Sequence, residues 1–521
     1  MNRIRLYIAI CILLVLFVFL FLFFYNPTIY TVTPNIASPG DIIEIKGHGF
    51  GKERGRVIVG DMQLLNSSLL LWSDRLIRAK LPVGVSSGFV QVFTAKDKNS
   101  NRILFALKSD IPRPEGKSVI AAEITDIKPE VLSLASKVVV MGHNLDTFKD
   151  RGTIYVTWIG KDIAKSSDDV FYPVPNDYVI KWESDKIEFF LPEAATSGEV
   201  FISDGENRTN GIFVDVNDSG GRFYAGNALT YSLEFDMSFS VSAAESGAAI
   251  VWLPGIAKTF WQRNIRVLEE NIPPYLRDKN NIAYRFSRTQ TVAIKRGIVL
   301  DIYPVWTSDV DENARFSADE KDRYTIWQKN IFIDKKNNLI ASLFDSKDYS
   351  PYEWVWKCYI FVRDRIGYRK SAGNSLDAVL QSGLSDSLGR ARLLVQLLRA
   401  GDVPARVVGG ILLQSGGNLS WYYWAEAALP AMGWVPVDPT APFEAVSIPS
   451  DSDKAKDLYF LGGLSAQHLL MFREGDAFPA MIPGSQKQKN AFLPALWEYS
   501  YELRNSSISD IFFNVAVAGV Y

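Results

Sequence analysis

Cysteine, histidine and surplus charge are all scarce in this chain of 521 residues, and each scarcity removes a class of function. There are 2 cysteines, and one of them, Cys11, lies inside an apolar run near the N-terminus. Cys358 is therefore the single thiol of the remaining chain, so no intramolecular disulfide can brace it and its domains must hold by packing. The 3 histidines are His48, His143 and His468. His48 and His143 occupy the same turn of a repeated unit, and neither has a second ligand-type residue at a spacing suited to zinc, so no metal and no cofactor are expected. Lys+Arg 56 against Asp+Glu 58 leaves a net charge of −2, and this balance argues against nucleic acid as a partner.

What is present begins with one long apolar segment. Residues 6–25 contain no charge, no Pro and no Gly, about the length needed to cross a bilayer. Arg3 and Arg5 precede it, and the next charge is Asp41. The positive-inside rule keeps the N-terminus in the cytoplasm and places the rest of the chain in a periplasm or at the cell surface. The run ends Leu22-Phe23-Phe24-Tyr25-Asn26-Pro27, without the small-residue pair that signal cleavage requires, so residues 1–27 are expected to be a cytoplasmic stub and a retained anchor.

With 47% hydrophobic and 22% charged residues, the remainder has the composition of folded globular protein and is long enough for about three to five domains. Two stretches repeat. Ile42 to Gly49 reads Ile-Ile-Glu-Ile-Lys-Gly-His-Gly, and Val138 to Asn144 reads Val-Val-Val-Met-Gly-His-Asn. Trp72, Leu81-Pro82 and Ser87-Gly88 recur as Trp182, Leu191-Pro192 and Ser197-Gly198. Short alternating strands between Gly, Pro, Asn and Asp turns predict two small antiparallel sandwiches, at 28–107 and 118–216. Leu229, Tyr231, Leu233, Phe235, Met237, Phe239 and Val241 alternate strictly, and 224–345 is expected to form a further β-sandwich.

Past Ser350 the period becomes helical. Trp354, Cys358, Phe361, Val362 and Ile366 mark the buried stripe of one helix, which gives Cys358 a packing role. Leu388, Ala391, Leu394, Val395 and Leu398 mark a second helix, stopped by Gly401 and Pro404. Strands are expected at 405–413, 421–429 and 434–437, so 346–521 reads as an α+β domain with a C-terminal extension.

The turn Ser38-Pro39-Gly40-Asp41 followed by Gly47-His48-Gly49-Phe50 resembles the IPT/TIG family of immunoglobulin-like domains, over 28–107 and less fully over 118–216, where Leu134-Ala135-Ser136 replaces the Pro-Gly turn. The resemblance implies spacers or interaction modules. Ala391 to Gly410, then Trp424-Ala425-Glu426, then Gly433 to Thr440, resemble the transglutaminase-like superfamily, whose core is papain-like. In that family a cysteine opens the central helix, a histidine lies two residues before the strand tryptophan, and an aspartate begins the Asp-Pro-Thr turn. Carried onto this sequence, those positions hold Ser387, Tyr422 and Asp438.

A helix N-terminus can stabilise a thiolate but is too weak to make an alkoxide of a serine. Tyrosine, with a pKa of about 10, is a poor base near neutrality. The resemblance therefore implies a degenerate site, with Ser387 as an N-cap and Tyr422 donating to Asp438. Gly389-Arg390-Ala391-Arg392-Leu393-Leu394 with Gly409-Gly410-Ile411-Leu412-Leu413 is similar to the inactive transglutaminase-like domains of bacterial membrane proteins, although those carry a C-terminal helical bundle rather than one N-terminal span. Trp421, Trp424, Glu426 and His468 are expected to bound a cleft, with His468 packed among apolar residues. Three functions compete: a binding or scaffolding protein for a peptide, an extracytoplasmic protein or a cell-wall polymer; an amidase, peptidase or acyltransferase that uses Ser387 with His468 as its base; and a structural spacer in which the cleft is filled.

Overall fold

The computed structural model describes residues 26–108, 121–278, 281–345, 347–414, 419, 421–452, 454–475, 480–489 and 499–521. The expected membrane span at 6–25 lies outside the described residues, as does most of the linker between the repeats. Among the described residues no helix is long and apolar enough to cross a membrane. The chain divides into two compact units, residues 1–119 and 120–521.

In the first unit, strands Thr28–Thr33, Ile42–His48, Leu76–Lys80 and Leu69–Trp72 form one sheet in the order first, third, seventh, sixth by chain position. A second sheet places Ile36–Ala37, Ile103–Leu107, Gly88–Phe93, Arg56–Val59 and Met62–Gln63 side by side. Alternation sends Ile43 and Ile45 inward from one sheet and Val57, Val59, Val90 and Val92 from the other, and all six are fully buried. This unit has a core of its own. At its Ser-Pro-Gly-Asp turn Gly40 adopts φ 95°, and the Asp41 carboxylate accepts from the Ser38 backbone N–H at 2.9 Å.

The second copy repeats this topology strand for strand. Glu123–Lys128, Lys137–His143, Lys186–Phe190 and Val179–Trp182 form its first sheet, and Val131–Ser133, Ile212–Asn217, Gly198–Ser203, Thr153–Thr157 and Phe171–Pro173 its second. Even a side-chain tie recurs: Trp72 Nε1 donates to Gly51 O at 3.1 Å, and Trp182 Nε1 to Leu145 O at 2.9 Å. His48 Nδ1 lies 2.6 Å from the Tyr30 hydroxyl, a structural contact within its turn. Among the described residues no cluster of three metal-ligating side chains exists.

Unlike the first copy, the second has no separate core. Leu132, Val140, Trp158 and Phe189 belong to one apolar cluster with Leu300, Trp354, Leu394 and Phe472. Polar ties cross the same seam: Glu193 Oε1 accepts from Trp434 N at 2.9 Å, Arg323 donates to Ala135 O at 3.1 Å, and Arg263 donates to Asp169 O at 2.7 Å.

The region expected as a third sandwich is instead a single long sheet. Strand β1 (Leu229–Pro254) pairs with β4 (Gln290–Ile302) over its first half and with β3 (Asn281–Phe286) over its second, and β2 (Gln262–Glu270) pairs with β4 at the edge. Tyr231, Leu233 and Phe235 enter the main core, while Met237, Phe239 and Val241 enter a separate cluster farther along the strand. A capped short helix, α1 (Ala318–Tyr324), follows, so residues 309–345 are not β-structure.

The α+β domain opens with α2 (Pro351–Arg365), which starts at a capping box: Ser350 Oγ accepts from Glu353 N at 3.0 Å and Glu353 Oε2 from Ser350 N at 2.9 Å. Helix α3 (Leu376–Ser382) precedes the central helix α4 (Ser387–Ala400), which is buried at nearly every position. Four strands follow, β5 (Ala405–Leu412), β6 (Trp421–Leu429), β7 (Gly433–Val437) and β8 (His468–Arg473), in the order β7-β6-β5-β8. The last strand, β9 (Tyr501–Val520), belongs to neither helix nor strand layer of this domain. It returns to pair with β1 from Tyr231 to Val251, so the C-terminal extension completes the long sheet.

Candidate functional site

Helix α4 packs against β6 and β5, and its first turn faces the end of β7 where the Asp438-Pro439-Thr440 turn begins. Asp386, not Ser387, is the N-cap of α4: its Oδ1 accepts from Gly389 N at 2.9 Å, and Asn374 Nδ2 holds its second oxygen at 2.8 Å. Aspartate outcompetes the adjacent serine because a charged acceptor suits the positive helix end better than a hydroxyl. Ser387 is displaced one position into the helix. Its hydroxyl is nearly buried and has no hydrogen-bond partner among the described residues.

Asp438 is fully buried, and its carboxylate is saturated. Oδ1 accepts from the backbone N–H of Thr440 at 2.8 Å and of Ala441 at 3.0 Å. Oδ2 accepts from the Tyr422 hydroxyl at 2.9 Å and lies 3.1 Å from His468 Nε2. Burial, with the Asp438 carboxylate beside it, pushes the Tyr422 phenol well above its ordinary range, so this hydroxyl is a permanent donor.

His468 is the member of the site that its sequence neighbours disguise. It enters from β8, opposite Leu412 on β5, and reaches an aspartate 30 residues away. Its ring is fully buried between Tyr422, Trp424 and Phe460, at centroid distances of 5.8, 5.5 and 5.9 Å. Nδ1 lies 2.8 Å from Ser465 Oγ. A carboxylate only accepts, so Nε2 carries the proton that Asp438 receives, and Nδ1 then accepts the Ser465 hydroxyl. Both ring nitrogens are occupied, and neither is left to take a proton from Ser387. Ser465 is itself fully buried, so the Ser465-His468-Asp438 chain faces no substrate.

Arg390 closes the site from below. Fully buried on α4, it donates through Nε to Thr440 Oγ1 at 3.1 Å and through a terminal nitrogen to Pro439 O at 2.7 Å, and it also holds Ile366 O. Burial pushes its guanidinium down to about 10 against the opposing pull of Asp438. Three arginines, Arg390, Arg392 and Arg399, share this helix, and nothing local in the sequence marks Arg390 as the one that holds the Asp-Pro-Thr turn. On the outer side, Glu444 joins the Tyr368 hydroxyl, Lys370 Nζ at 3.1 Å and Gln414 Nε2 at 3.1 Å.

Of the four expected cleft residues, Trp421 is half-buried and the other three are buried. Trp424, Glu426 and His468 are at most 2% exposed. Glu426 serves an internal ion pair with Arg406 at 2.6 Å and Arg473 at 3.2 Å; burial works to raise its carboxyl, but the two guanidiniums hold it below the ordinary value. Trp421 stacks on Phe513 of β9 at 5.5 Å and 12° and meets Phe472 edge-on. Its indole is thus enlisted in joining the α+β domain to the long sheet.

A central helix, an antiparallel sheet and the Asp-Pro-Thr turn follow one another in this order. The transglutaminase-like superfamily matches residues 340–439, and the IPT/TIG domain matches residues 27–106. The chain carries a transglutaminase-like core domain preceded by an IPT/TIG domain. Cyclomaltodextrin glucanotransferase of Bacillus licheniformis is 32% identical over 75 residues, 14% of this chain and 10% of that enzyme. The enzyme of the same name from Paenibacillus macerans is 35% identical over 77 residues, 15% of this chain and 11% of that one. The chain thus spans about a tenth of the length of these curated relatives. Among solved structures, a proposed cysteine protease from Cytophaga hutchinsonii is 13% identical with a TM-score of 0.38, covering 57% of this chain and 93% of that one. The periplasmic domain of TgpA from Pseudomonas aeruginosa is 14% identical with a TM-score of 0.23, covering 45% of this chain and 79% of that one.

Proposed function

We propose that this is a membrane-anchored, extracytoplasmic protein whose transglutaminase-like domain binds rather than cuts, holding a peptide, another extracytoplasmic protein or a cell-envelope polymer. One observation carries the non-catalytic reading: the carboxylate at the triad position spends all its hydrogen-bonding capacity on Thr440, Ala441, Tyr422 and His468. A working triad needs a base with one nitrogen held by the carboxylate and the other free for the nucleophile. Here the tyrosine in the histidine's place is locked as a donor, and His468 has no free nitrogen. The anchoring part of the proposal rests on the apolar run at 6–25 with Arg3 and Arg5 before it.

Hydrolysis or acyl transfer through Ser387 is the competing function. Labelling of the full chain with a fluorophosphonate probe and a thiol-directed acylating probe separates the two. No Ser387-dependent adduct is expected, and the thiol probe should label a Ser387→Cys variant slowly through its sliver of exposure. Fluorophosphonate labelling that disappears in Ser387→Ala would overturn the non-catalytic reading.

A further inference from the structure

A cavity of about 450 Å³ lies away from the Asp438 site, where the second immunoglobulin-like copy meets the strand Arg222–Ala225. Its walls combine an apolar floor, including Ile159 and Val216, with a rim that carries Asp162, Thr196, Asn217 and Arg222. Tyr224 forms one side. It is 36% exposed, lines the cavity, and stacks its ring on buried Trp306 at 5.8 Å and 13°, which fixes the ring plane.

The rim is short of internal partners. Among the described residues Asp162 makes no ion pair or hydrogen bond and the Thr196 hydroxyl has no partner. Asn217 uses only its oxygen, accepting from Ser133 Oγ at 3.1 Å and Ser219 Oγ at 2.9 Å, which leaves its NH₂ to solvent. Arg222 is already paired with Asp218, so the cavity offers no uncompensated cation for a phosphate or a carboxylate. A purely apolar ligand would strand the rim groups without partners. The remaining fit is a ligand with one flat, weakly apolar face and hydroxyls around its edge.

We propose that this cavity is a binding subsite for a neutral oligosaccharide, with a sugar ring against Tyr224 and its hydroxyls bridging Asp162, Thr196 and the Asn217 amide. Asp162 accepts from a hydroxyl, Asn217 donates to one, and Thr196 does either. The volume falls within the range of small-ligand pockets. The site shares no residue with the Asp438 network, so it stands or falls apart from the function proposed above.

The test uses the full chain in detergent with maltohexaose, cellohexaose and chitohexaose as probes, read by saturation-transfer NMR and titration. At least one probe should receive saturation at its ring protons, with affinity falling about tenfold or more in Tyr224→Ala and in Asp162→Asn at unchanged melting temperature. Should Tyr224→Ala not fold, the exposed Asp162→Asn change decides alone, since it touches no internal partner. Absence of saturation with all three probes, or binding that survives these variants undiminished, would overturn the proposal.

Discussion

Tyr422 differs from phenylalanine by one oxygen, and that oxygen separates a satisfied buried carboxylate from an under-satisfied one. Tyr422→Phe should cost about 1–3 kcal/mol in urea unfolding, because Asp438 keeps its backbone donors and His468 but loses a donor that water cannot replace at this depth. An unchanged midpoint would show that the hydroxyl is dispensable. Cys358 gives a second residue-scale expectation. It is fully buried on α2, and burial pushes its thiol well above the ordinary value, so a disulfide-exchange reagent should titrate it only as the protein unfolds. Ser387, Tyr422 and Asp438 were legible by counting along a motif, since strand and helix spacings are local. The part played by His468 was not. Its partner lies 30 residues back in the chain, and only the pairing of β8 with β5 brings the two together.

At the scale of elements, helix α2 was legible from its stripe, because Trp354, Cys358 and Val362 recur at helical spacing and are buried; its start is fixed by the Ser350 and Glu353 box. Loss of the box in Ser350→Ala should lower stability by about 1 kcal/mol, measured by thermal melting. The β5–β8 pairing depends instead on backbone proximity. The register shifts between Gly409 and Gly410, and a Cβ on Gly410 would sit 1.8 Å from Leu469 O. Gly410→Ala should therefore pry β8 away and carry His468 off Asp438, a larger loss than removal of the cap; a full-strength melt in this variant would contradict the register. The length of β1 was not legible. Alternation from Leu229 to Val241 announces a strand, but the following residues 247–254 are buried on both faces, and such a run carries no period. The same limit hid the return of β9, whose pairing with β1 spans more than two hundred residues of chain.

Across the whole molecule, duplication produced one self-sufficient module and one that became part of a larger body. The first copy keeps its own core, so residues 26–108 should fold alone with a cooperative melt, whereas a fragment 224–521 should not, because its core is shared with Trp158, Phe189 and Leu132. That shared interior is rich in tyrosines, and they set the response to alkali. Burial pushes the phenols of Tyr231 and Tyr303 in this shared core, and of Tyr284 in the separate cluster along β1, up to about 12, against about 10 in an unfolded chain. Below pH ~10 both states keep these protons, and the phenols leave stability independent of pH. Between about 10 and 12 the unfolded chain releases protons that the folded one retains, so each such group costs about 1.4 kcal/mol per pH unit as pH rises. Arg390, pushed down to about 10, works with the opposite sign, since the unfolded chain then holds the extra proton, but it is one group against three. Urea unfolding should thus be steady to pH ~10 and weaken steeply above it, with the greater part of the tyrosinate absorbance appearing together with the loss of structure. Absorbance that rose in full at pH ~10 while the fold persisted would mean that these phenols meet solvent, and would remove the buried seam that joins the second module to the transglutaminase-like core.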